Sequence, residues 1–100
     1  MQPLRLILTD TAKADLRNIR NHIAKDDSKK AAEFVKNLTS KLYSLASMGV
    51  TGTARDSIKV GLRGVPYRNR CFYLHIVDDK MFVIRVLHGR EDVTTKDFPL

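Results

Sequence analysis

The stretch Arg70–His88, RCFYLHIVDDKMFVIRVLH, decides how this chain folds. It holds two β-rich runs, 70–77 and 81–88, around a polar break at Asp78-Asp79-Lys80. Alternation fixes which side chains share a face of a strand, so a hairpin register can be chosen by keeping like faces together. A three-residue turn at 78–80 pairs Phe72 with Val86, Leu74 with Ile84 and Ile76 with Phe82, all large and apolar. That register predicts one face for the core. The other then carries Cys71, Tyr73, His75, Val77, Met81, Val83, Arg85 and Leu87, with Tyr73 opposite Arg85. A two-residue turn would scatter the apolar residues over both faces and is disfavoured.

Something must cover the apolar face, and the first half of the chain supplies it. Leu4, Leu6 and Leu8 alternate around Arg5 and Ile7, which reads as a short strand. Thr9-Asp10-Thr11 offers N-cap residues. Behind them Ala12, Leu16, Ile19 and Ile23 recur at helical spacing. Asp26-Asp27-Ser28 interrupts this helix and caps a second, in which Ala31, Val35, Leu38, Leu42 and Leu45 repeat. Gly49 ends that helix, since glycine accepts the left-handed conformation beyond a C-terminus. The pattern is an αα-hairpin. Residues 49–57 read as a loop. Ile58, Val60 and Leu62 then alternate as a strand that Gly64-Val65-Pro66 breaks. The expected order is β-α-α-β-β-β, an α+β fold in which the helix hairpin packs on a small antiparallel sheet.

The whole chain, 1–100, reads as a single domain with a C-terminal tail at about 93–100; 100 residues do not comfortably divide between two cores. The longest apolar run is the four residues 81–84, far short of the ~20 that span a bilayer. No secretory signal is visible, so a cytoplasmic protein is expected. A single cysteine, Cys71, excludes an intramolecular disulfide and a cysteine-based zinc cluster, and three histidines without a supporting motif predict no metal and no cofactor. The net charge of +7 is unevenly spread. Lys59, Arg63, Arg68 and Arg70 fall in a twelve-residue stretch without an acid. Such a stretch favours an acidic partner or a phosphate backbone, or simply forms a solvated surface.

Three segments carry a family resemblance. Leu6-Ile7-Leu8-Thr9 followed by Ala12-Lys13-Ala14-Asp15-Leu16-Arg17-Asn18-Ile19 resembles the start of the ParE branch of the RelE/ParE toxin superfamily. Arg63-Gly64-Val65-Pro66-Tyr67 through Phe72-Tyr73 is similar to its central sheet segment. Ile84-Arg85-Val86-Leu87-His88-Gly89-Arg90-Glu91-Asp92-Val93 resembles its closing motif, an apolar strand running into His-x-Arg-x-Asp. The resemblance implies the toxin of a type II toxin–antitoxin pair that poisons DNA gyrase and is neutralised by a cognate acidic, ParD-like antitoxin in a hetero-oligomer. It implies no sequence-specific nucleic-acid binding by the chain itself.

The other branch cuts mRNA in the ribosome, and a shared fold does not choose between the two chemistries. Cleavage at a 2′-OH needs a base, an acid and cations for the phosphorane charge. The counterparts here are Arg85, His88, Tyr73, Arg63 and Lys59, with His75 in reserve. Against that chemistry, no Tyr, His or Trp follows His88, and the tail offers only Phe98 as an aromatic. Each candidate also has a structural role open to it: His88 as a hydrogen-bonded strand-end residue, Arg85 stacked on Tyr73, Cys71 as a small strand hydrophobe. For a binding protein, Tyr73, Val77, Met81, Val83, Arg85 and Leu87 form the expected antitoxin face. His88, Arg90, Glu91, Asp92 and Phe98 form the expected target face.

Overall fold

A computed structural model of the chain describes residues 2–89, 93, 94, 97 and 98. The chain runs β1 (Arg5–Leu8), α1 (Asp10–Ala24), α2 (Ser28–Met48), β2 (Thr53–Ala54), β3 (Leu62–Tyr67), β4 (Arg70–Val77) and β5 (Lys80–His88). The helix starts and stops lie where local chemistry puts them. Thr9 caps α1, its hydroxyl accepting from the Ala12 amide at 3.2 Å while donating to the Val83 carbonyl at 2.7 Å. Asp27 caps α2 by accepting from the Lys30 amide at 3.0 Å. Gly49 closes α2 with φ +67°. Ala12, Leu16, Ile19, Leu38, Leu42 and Leu45 are buried between the hairpin and the sheet. Among the described residues no helix is long and apolar enough to cross a membrane.

The sheet order is β1-β5-β4-β3-β2. β1 runs parallel to β5, so the sheet is mixed rather than antiparallel. The short β2, inside the stretch expected to be loop, pairs with Arg63 and Gly64 of β3.

The register of the last hairpin corrects the expected one. Phe72 pairs with Val86 and Tyr73 with Arg85, but Leu74 then pairs with Val83, His75 with Phe82 and Ile76 with Met81. A β-bulge at Tyr73/Leu74 absorbs Ile84, and the turn is the two residues Asp78-Asp79. The bulge keeps Phe72, Leu74 and Ile76 toward the helices at both ends of the strand. Their partners there are Val86, Val83 and Met81. Met81 and Val83 are therefore fully buried beneath the helices, not displayed on the outer face.

The outer face is covered too. Leu62, Cys71, Tyr73, Ile84 and Leu87 form a second core that Phe98 completes, with Val93 packed against it. The sheet is thus a central layer, with helices on one side and C-terminal residues on the other.

The stretch expected to alternate as a strand from Ile58 is a compact turn instead. Ile58 and Lys59 amides donate to the Arg55 carbonyl at 3.0 and 3.2 Å, and the Gly61 amide donates to Asp56 Oδ1 at 2.8 Å. Val60 is left 84 % exposed. The strand runs instead through Gly64-Val65-Pro66. β2 covers only Arg63 and Gly64, so the missing N–H of Pro66 falls on an open edge, where proline is tolerated.

Gly52 marks the tightest backbone approach. It has φ +72°, and a Cβ there would overlap the Gly64 carbonyl oxygen and Val65 Cγ2. Gly52→Ala is expected to destabilise the domain by about 2–3 kcal/mol, read as a lower urea midpoint.

Candidate functional site

The site expected from sequence was a sheet face presenting Tyr73, Arg85, His88, Arg63 and Lys59 to a substrate or partner. The structure brings most of these residues to the outer face and then commits them to the chain itself. Arg85 is the centre. Its Nε donates to Asp15 Oδ2 at 2.7 Å and its Nη2 to Asp15 Oδ1 at 2.9 Å, a two-pronged pair. Its Nη1 donates to the Asp97 carbonyl at 2.9 Å. Asp15 Oδ2 also accepts from the Val86 backbone amide at 2.9 Å. One arginine therefore joins α1, β5 and the C-terminal residues.

Asp15 was not singled out in the sequence. The signal was there: positions 12, 15, 16 and 19 lie on one stripe of α1, and Asp15 is the one acid on it. The other half of the signal is Arg85, alone among apolar residues in 81–87.

The remaining candidates fasten the same layer. Lys59 Nζ donates to the Phe98 carbonyl at 2.9 Å. The Phe98 ring meets Tyr73 edge-on at 4.9 Å between centroids and is 1 % exposed. The Thr94 amide donates to Asp97 Oδ2 at 2.8 Å, so the segment carries its own turn. Arg63 turns away, its Nε and Nη2 donating to the carbonyls of Thr51 and Gly52 at 2.9 and 2.8 Å. His75 Nδ1 lies 3.3 Å from the Gly61 carbonyl. His88 sits half-buried at the end of β5, opposite Arg70. Burial pushes the Cys71 thiol up, against smaller opposing effects from Tyr73 and Arg55. That suits a strand hydrophobe rather than a nucleophile.

The expected antitoxin face thus fails as an exposed surface. Met81 and Val83 are core, Tyr73 and Leu87 lie beneath the C-terminal layer, Arg85 is paired internally, and only Val77 is exposed, at 40 %. In the expected target face Phe98 is buried, while Arg90, Glu91 and Asp92 lie outside the described residues. No group of three or more His, Cys, Asp or Glu among the described residues is placed to hold a metal ion.

The basic stretch divides. Lys59 and Arg63 serve the sheet and its loops, whereas Arg68 and Arg70 flank the β3–β4 turn beside α2. There Lys41 Nζ and the Arg68 guanidinium lie 5.5 and 5.4 Å from the Tyr67 ring centroid, and the Arg70 guanidinium lies 5.8 Å from that of Phe34.

Comparison with known proteins agrees with this architecture. The family model for the ParE toxin of the type II toxin–antitoxin system parDE matches residues 6–93. Among solved structures, a chain from the chromosomal ParDE toxin–antitoxin system of P. aeruginosa superposes with a TM-score of 0.71. The match covers 85 % of this chain and 95 % of that one at 20 % identity, a likeness of fold. No relative is found among curated proteins.

Proposed function

The chain belongs to the ParE toxin family of type II toxin–antitoxin systems, and on that basis we propose that it arrests growth by binding and poisoning DNA gyrase in the cytoplasm until a ParD-like antitoxin neutralises it. The observation that supports binding over phosphate chemistry is the occupied outer sheet face. A ribonuclease needs its acid, base and cations within reach of a scissile phosphate. Here Arg85 holds Asp15 and Asp97, Lys59 holds Phe98, and Tyr73 lies under the Phe98 ring. These residues build the domain. The target contact then falls to the end of β5, on His88 and the Arg90, Glu91 and Asp92 that follow it in sequence.

The test is direct. The isolated protein is expected to inhibit supercoiling of relaxed plasmid by gyrase at near-stoichiometric ratio, and the co-encoded antitoxin to restore it. Normal supercoiling in the presence of excess folded protein overturns the proposal. Codon-specific mRNA cleavage on translating ribosomes would assign the RelE-like activity instead.

A further inference from the structure

Beside the β3–β4 turn, the end of α1 and the first half of α2 enclose an open concavity of about 330 Å³. Its lining is Ile23, Lys30, Glu33, Phe34, Asn37 and Arg68. Ile23 and Phe34 give it an apolar floor, and Lys30 and Arg68 place two cations at its rim. Behind the floor, Arg70 stacks on Phe34, and its Nε is buried without a hydrogen-bond partner. A buried donor left unmade is a cost that a native structure does not ordinarily carry.

Arg68 adds a second anomaly. It occupies the first position of the two-residue turn with φ +55°. Glycine, asparagine or aspartate ordinarily takes that left-handed position, as Asp78 does with φ +54° in the next hairpin. A long side chain kept in a strained backbone, with its guanidinium stacked on Tyr67 at the mouth of a pocket, marks a place where strain serves binding.

Four cations, Lys30, Lys41, Arg68 and Arg70, surround two aromatic rings, with Glu33 the one acid at the rim. Resting on the reading that an antitoxin neutralises this chain, we infer that the groove receives an acidic segment of that antitoxin. One apolar side chain sits on Ile23 and Phe34, and flanking carboxylates pair with Lys30, Arg68 and Arg70. A peptide fits better than a nucleic-acid backbone. The apolar floor gains nothing from phosphate, and Glu33 would repel one, whereas a peptide can meet Glu33 and Asn37 with amides.

Two variants test this with the full-length chain and its co-encoded antitoxin. The double charge reversal Lys30→Glu with Arg68→Glu is expected to weaken the complex roughly 100-fold, because like charges then face each other across the contact. The same reversal at Lys13 and Arg17, exposed on α1, is expected to leave affinity within about threefold, the loss of exposed charge alone. Arg68→Gly removes guanidinium and backbone strain together. It is expected to unfold at a higher temperature while binding the antitoxin roughly tenfold more weakly. Wild-type binding with unchanged affinity in both groove variants overturns the groove and leaves neutralisation standing. Failure of the wild-type chain to bind its antitoxin overturns both. Loss of affinity for a duplex DNA probe with antitoxin affinity intact would also overturn the assignment.

Discussion

Asp15→Ala is expected to be among the most damaging single changes in this chain, lowering stability by about 3 kcal/mol or more. The Asp15 side chain is 10 % exposed and that of Arg85 21 %. Removing the carboxylate leaves a largely enclosed guanidinium without its counter-charge and the Val86 amide without its acceptor. Breaking a buried pair from one side costs about 3–5 kcal/mol, and partial exposure of Arg85 places this one at the lower end. A 100-residue domain has roughly 5–15 kcal/mol in total, so the thermal midpoint should fall by at least about 12 °C. Asp15→Asn keeps an oxygen for the Val86 amide and should cost less. Calorimetry on the two variants checks the ranking; equal, small losses would show that the pair contributes little.

Phe98→Ala should have a comparable effect through a different route. The ring is 1 % exposed against Tyr73, Leu62, Cys71, Ile84 and Leu87, and Phe→Ala at such a site costs about 3–5 kcal/mol. The distinctive readout is chemical. With the cover loosened, Cys71 loses the burial that holds its thiol up, so more thiolate is present at neutral pH. Alkylation of Cys71 should therefore be markedly faster in the variant under native conditions. Unchanged stability and an equally protected Cys71 would show that Phe98 does not hold the second core.

Both predictions concern the side of the sheet that was hardest to read. The helix hairpin was legible because α1 and α2 each bury one stripe, and Thr9, Asp27 and Gly49 are residues whose chemistry starts or stops a helix. The phase of β5 was not. Met81, Phe82, Val83 and Ile84 are apolar on both parities because both faces of the strand are covered, and alternation loses its meaning there. With the phase lost, nothing in the spacing announces a bulge at Ile84. The same cause hid the functional layout. Tyr73, Arg85 and Leu87 look like a mixed surface only if no other segment covers them, and the covering segment is a short polar tail with one aromatic residue. The groove beside Arg68 was visible as charge but not as a place, since Ile23, Phe34 and Arg68 come together only through the hairpin and the turn.

The pairing of β1 with β5 has a temporal side. Arg5 aligns with Lys80, so the first strand made must wait for the last before it has a neighbour. At roughly 5–20 residues per second, about 4–15 s of synthesis separate them. Over that interval the nascent helix hairpin has no finished sheet to pack on, and the Asp15–Arg85 clasp does not yet exist. A toxin organised this way is harmless while it is being translated and becomes competent only when its final residues emerge. Antitoxin already present in the cell meets it at that moment of completion, which places the contest between the two proteins at the ribosome's exit rather than in the bulk of the cell.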